Sequence, residues 1–167
     1  MSIAEQLLPE FDQESKTTRS LLAIVPADKF DWGPHERSMT LRRLSGHIAN
    51  LLRWTNATIE ETQLDLGDPD STWDPPSFET TQELLDVYDA NLASARAAIA
   101  SASDADLMVP WALLHGGHQV FQMPRAAVLR SFVFNHVVHH RGQLSVYLRL
   151  LEVPLPHIYG PTADSPM

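Results

Sequence analysis

Between residues 135 and 149 the chain reads NHVVHHRGQLSVYLR, and His136 and His140 stand four residues apart within it. Around them Val128, Leu129, Phe132, Leu144, Tyr147, Leu148 and Leu151 recur with the period of a helix. Side chains at i and i+4 lie one above the other, so both imidazoles aim at a common point. Together with Gln143 they also extend the apolar stripe itself. Polar groups that interrupt a stripe destined for burial are costly unless they are paired or hold a metal. The segment is constrained twice: it must pack against other helices, and the packing must satisfy two imidazoles. His139 is turned about 100° from His140. It is read as a neighbour that shuttles a proton or simply packs.

A third histidine meets the same demand. The segment 38–63 is amphipathic, with Leu41, Leu44, Ile48, Leu51, Leu52 and Ile59 on one face and Ser38 or Thr40 as its cap. His47 lies between Leu44 and Leu51 on or beside that face. Three histidines from two helices form a catalytic-type metal donor set. The acids nearest on this helix, Glu60 and Glu61, lie about 20 Å along it, too far to close the site. An open position for water or substrate is therefore expected. A metal-free reading, with the three rings as a hydrogen-bonded core cluster, stays open beside it.

The other segments supply the walls. Ile3, Leu7, Phe11, Leu21 and Leu22 predict a first helix over 2–25, its continuous part starting at Pro9 and stopped by Pro26. The stretch 65–78, DLGDPDSTWDPPSF, is a loop. Its acids Asp65, Asp68, Asp70 and Asp74 lack the spacing of a calcium-binding loop. A third helix is expected over 80–102. The runs 109–114 and 119–123 flank Gly116-Gly117 and read as a β-hairpin. His115 and His118 bracket that turn and are expected to be exposed, not to form a second metal site. A last helix follows from Pro124 to residue 151, with Gly142 marking a close approach between helices. The expected architecture is all-α: a four-helix bundle with one short hairpin insertion before the last helix, in a single domain 1–167. Trp32, Trp73 and Trp111, all in connecting segments, are expected to wall the pocket.

Composition narrows the function. Twelve basic residues stand against 21 acidic ones, for a net charge of −9, which argues against a nucleic-acid partner. There is no cysteine, so a metal here must be held by nitrogen and oxygen. No apolar run approaches the roughly 18 residues of a membrane span. The acidic start, MSIAEQLLPEFDQES, is unlike a signal peptide, and a cytoplasmic location is expected.

Three stretches carry a family resemblance: SMTLRRLSGHIANL, NHVVHHRGQLSVYLR, and the tail LEVPLPHIYGPTAD. Together they resemble the DinB family, within the broader DinB/YfiT-like metalloenzymes. The resemblance implies an up-down-down-up four-helix bundle, commonly a homodimer. It implies one divalent metal ion, often nickel or zinc, on His47, His136 and His140. Relatives in the superfamily are thiol-dependent transferases and isomerases. A metal-dependent transferase, isomerase or hydrolase acting on a small molecule, with a low-molecular-weight thiol as co-substrate, is the expectation. His139 and Gln143 are then the candidates for catalytic roles, and Arg141 and Trp32 for cofactor binding. The alternative is a non-catalytic, stress-related homodimer in which the metal is structural.

Overall fold

A computed structural model describes residues 1–69, 73 and 76–166. Asp70 and Asp74 of the acidic loop lie outside the described residues. The first helix, α1 (Ile3–Leu22), opens with a reciprocal cap in which Ser2 accepts from the Glu5 amide and Glu5 accepts from the Ser2 amide. That cap fixes the start six residues ahead of Pro9. The proline stands inside the helix, contrary to the start expected there.

The segment expected as one helix over 38–63 is divided. Thr40 caps α2 (Leu41–Leu51) by accepting from the Arg43 amide, the ladder breaks at Leu52, and α3 (Arg53–Glu60) follows. Residues 63–65 are not helical but form strand β1 (Gln63–Asp65). The expected third helix is α4 (Thr81–Ser101), capped reciprocally by Thr80 and Glu83. One turn, α5 (Asp104–Leu107), leads into β2 (Pro110–His115) and β3 (His118–Pro124).

The expected hairpin is therefore two strands of a mixed three-stranded sheet. β2 pairs antiparallel with β3, and β1 pairs parallel with β2 through Gln63–Ala112, Leu64–Leu113 and Asp65–Leu114. The Asp65 carboxylate ties the sheet to the hairpin tip, accepting from the amides of Gly67, Gly116 and Gly117. These bonds hold its pKa below the usual carboxylate value. Gly116 and Gly117 both have positive φ, 58° and 79°, as a tight two-residue turn requires. A Cβ on Gly67 would stand 2.3 Å from the Gly116 nitrogen, so only glycine fits that crossing.

The last long segment comprises α6 (Arg125–Val128), a π-helical stretch (Leu129–Phe134) and α7 (Asn135–Leu150). α1 packs on α4 and α7, and α2 packs on the same two helices. Leu21, Leu44, Ile48, Leu84, Tyr88 and Leu144 are fully buried in the core they share. A smaller cluster of Trp111, Leu113 and Val128 joins the sheet to the π-helical stretch, with Trp54, Phe121 and Phe132 packed against it. Gly142 does not mark a helix crossing: it is exposed, and a Cβ there would meet nothing within 4 Å. Among the described residues no helix is long and apolar enough to cross a membrane.

Candidate metal centre

Each histidine of the centre reaches it by helix geometry. On α2, His47 is carried by the face that buries Leu44, Ile48 and Leu51, which presses it toward α7. On α7, His136 and His140 share a face at i and i+4, with Val137 and Leu144 buried beside them. The three rings converge. Centroids lie 5.2 Å apart for His47 and His136, 4.6 Å for His47 and His140, and 4.7 Å for His136 and His140. One nitrogen from each ring falls within 4.8 Å of the other two. This is the same triplet that spacing and the family resemblance select.

The nitrogens fit a metal ion. His47 Nε2 and His136 Nε2 are 3.5 Å apart. Two nitrogens at zinc-bonding distance on a tetrahedral ion stand roughly 3.3 Å apart, so the pair needs little adjustment. Gln143 Oε1 lies 2.7 Å from His140 Nδ1. An amide oxygen only accepts, so Nδ1 carries the proton and the Nε2 lone pair is left for a ligand-binding role. His136 Nδ1 is buried, and its ring meets the Phe132 carbonyl of the preceding turn.

Electrostatics keep the rings neutral. His47 is pushed down to about 4, chiefly by burial and then by charge on His140, His136 and Arg43. Burial also lowers His136, with charge on His140 acting the same way and the Phe132 carbonyl opposing it. His140 is lowered by burial, against which its bond to Gln143 works. Neutral imidazole is the form that binds a metal, so the fold holds all three in the binding state at neutral pH.

A cavity of ≈ 390 Å³ borders His47 and His136. Leu51 and Asn50 of α2, Trp54 of α3 and Phe132 of the π-helical stretch line it, with Leu66, Trp73 and Leu113 completing the wall. Asn50 Nδ2 donates to the Trp73 carbonyl. Trp54 and Phe132 stack at 6.3 Å with their planes 13° apart.

The remaining candidates are dispersed. His139 is exposed and stands outside the triplet, its ring 4.8 Å from that of His140. Gln143 orients His140. Arg141 is buried away from the histidines: it donates to the Glu14 carbonyl, Thr18 Oγ1 and the Tyr159 hydroxyl, and pairs with the Glu14 carboxylate. It joins the tail to α1, so no cation is presented to the cavity from this position. Trp32 packs edge-on against Tyr147 at 5.7 Å and does not line the cavity. Trp73 does line it, whereas Trp111 is buried in the small cluster and donates to the Ala57 carbonyl. His115 and His118 face each other across the hairpin, both exposed.

Sequence reasoning did not single out Trp54, Phe132 or Leu113. Trp54 was within reach, lying seven residues after His47 and so two turns along the same face. Leu113 enters only through the parallel pairing with β1, which has no local signal.

The comparisons agree with this fold. The model of the DinB family matches residues 1–166. A DinB-like protein from Bacillus subtilis, YjoA, is similar in structure with a TM-score of 0.70 at 18% identity, covering 97% of this chain and 99% of its own. A DinB-like protein from Bacillus cereus ATCC 10987 gives 0.72 at 22% identity, covering 93% and 97% respectively. At these identities the likeness concerns the fold. The search of curated proteins gave no match. With the family model spanning nearly every residue, the chain belongs to the DinB family.

Proposed function

We propose that the chain binds one divalent metal ion on His47, His136 and His140 and uses it as a metal-dependent enzyme on a small molecule. The observation that supports this best is the convergence of three neutral imidazoles beside a cavity, one of them with its tautomer set by Gln143. A purely structural site is commonly closed by a fourth protein ligand, whereas three ligands are the pattern of catalytic sites. Among the described residues no carboxylate or other histidine joins the triplet.

When bound, such an ion supplies Lewis acidity that activates a coordinated water or holds an incoming thiol. The chain's own part is separate. His47 and His136 present nitrogens at the cavity wall, Gln143 holds the proton of His140 on Nδ1, and Trp54, Trp73 and Phe132 give the cavity an aromatic lining. A transferase or isomerase using a low-molecular-weight thiol, or a hydrolase, fits these parts. A nitrogen-only donor set accepts zinc, nickel, copper, iron or cobalt, and nickel and zinc are the two that the family resemblance implies. The reading includes the up-down-down-up bundle and the homodimer that the family resemblance implies.

Metal content measured by mass spectrometry on protein purified without a histidine tag tests the reading. About one equivalent per chain is expected, and none in a His47→Ala/His140→Ala variant that still folds. Absence of metal from the unmodified protein, even after reconstitution with zinc or nickel, would refute it.

A further inference from the structure

The cavity beside the histidines has a chemistry of its own. Among its described lining residues none is charged; the polar groups are His47, His136 and Asn50. Asn50 already donates its amide to Trp73. Away from an ion on the histidines, a carboxylate or phosphate entering here would find no cation among the described lining residues to replace its water, and its desolvation would go uncompensated. Arg53, whose guanidinium stands 5.0 Å from the Trp73 ring, does not line this cavity. Apolar surface from Leu51, Trp54, Trp73, Phe132, Leu66 and Leu113 makes up the rest of the described wall.

Size sets the second limit. Benzene occupies an engineered apolar cavity of about 150 Å³. A space of ≈ 390 Å³ therefore takes one ring with a short linker, or a bicyclic ring. Aromatic walls favour a flat partner, since ring pairs gain energy beyond simple burial when stacked with an offset or set edge to face. The rings of Trp54 and Trp73 meet at 71°, so a flat guest against one presents its edge toward the other.

We propose that this cavity selects substrates by an uncharged aromatic ring, seated among Trp54, Trp73 and Phe132, with a donor atom directed at His47 and His136. The proposal deepens the metal reading and rests on it for the donor atom, but not for the ring.

Two hydroxamic acids that differ only in that ring separate the two. Zinc-loaded protein is titrated by calorimetry with benzohydroxamic acid, acetohydroxamic acid and 4-carboxybenzohydroxamic acid. The first should bind at least ten-fold tighter than the second, and a carboxylate on the ring should abolish that advantage. Trp54→Ala and Phe132→Leu should each reduce the preference several-fold while still binding one zinc, which shows that fold and metal site are intact. Equal affinity for the benzo and aceto compounds in zinc-loaded protein overturns the proposal and leaves the metal reading standing. So does undiminished binding of the carboxylated ring. Failure to hold zinc is failure of the metal reading. The ring site is then decided on the metal-free protein with indole: saturable binding weakened by Phe132→Leu upholds it, and no binding overturns it.

Discussion

His47 leaves water as the chain folds and keeps its neutral form at the cost of basicity. Its folded value of about 4 lies below the roughly 6.5 of an unfolded histidine. Between those values the unfolded chain takes up a proton that the folded chain refuses, so stability falls as pH falls through this window. Above about 6.5 both states are neutral and the group contributes nothing. His136 and His140 are shifted in the same direction. The melting temperature of metal-free protein should therefore drop on acidification from 6.5 to 4 more steeply than that of a His47→Gln variant. Parallel profiles would mean that His47 protonates freely in place. Gln143 acts on His140 by accepting its Nδ1 proton. Gln143→Leu removes that acceptor and should weaken zinc binding by about ten-fold, the scale of lost supporting hydrogen bonds around a metal. Gln143→Glu keeps an acceptor and should restore most of the affinity in a chelator competition.

Among the elements, those read well from sequence were the ones whose signals are local. The i, i+4 histidines, the Thr40 cap and the Gly116-Gly117 turn each declare themselves within a few residues. What was missed depends on distant partners. Gln63–Asp65 looked like the end of a helix because its fate is decided by Ala112–Leu114, which it meets across a sheet. The π-helical stretch Leu129–Phe134 also escaped, since a wider turn differs from an α-helix by hydrogen-bond register and not by composition. It ends two residues before His136. The crossing of Gly67 over the hairpin tip is another distant dependence, legible only once both strands are placed. Gly67→Ala puts a methyl group against backbone that has no side chain to swing away. It should destabilise by about 2 kcal/mol, a fall of about 4–8 °C in a chain of this size, measured by thermal denaturation. An unchanged melting temperature would show that the two turns separate easily.

For the molecule as a whole, an ion on the triplet would fasten α2 to α7. Binding to the folded state alone raises stability by RT ln(1 + [L]/Kd), about 4 kcal/mol at a thousand-fold excess over Kd. Zinc should accordingly raise the melting temperature in a concentration-dependent way, and a chelator should reverse it. A melting temperature indifferent to both would make the histidines core structure. His47 and His136 are 89 positions apart in the chain. At ~5–20 residues per second of synthesis, the first imidazole waits several seconds for its partners to leave the ribosome. Metal binding would thus come late in the life of each copy. A chain released between His47 and His136 carries the first imidazole but has nothing to close around an ion. A bound ion would mark chains whose synthesis has passed His140.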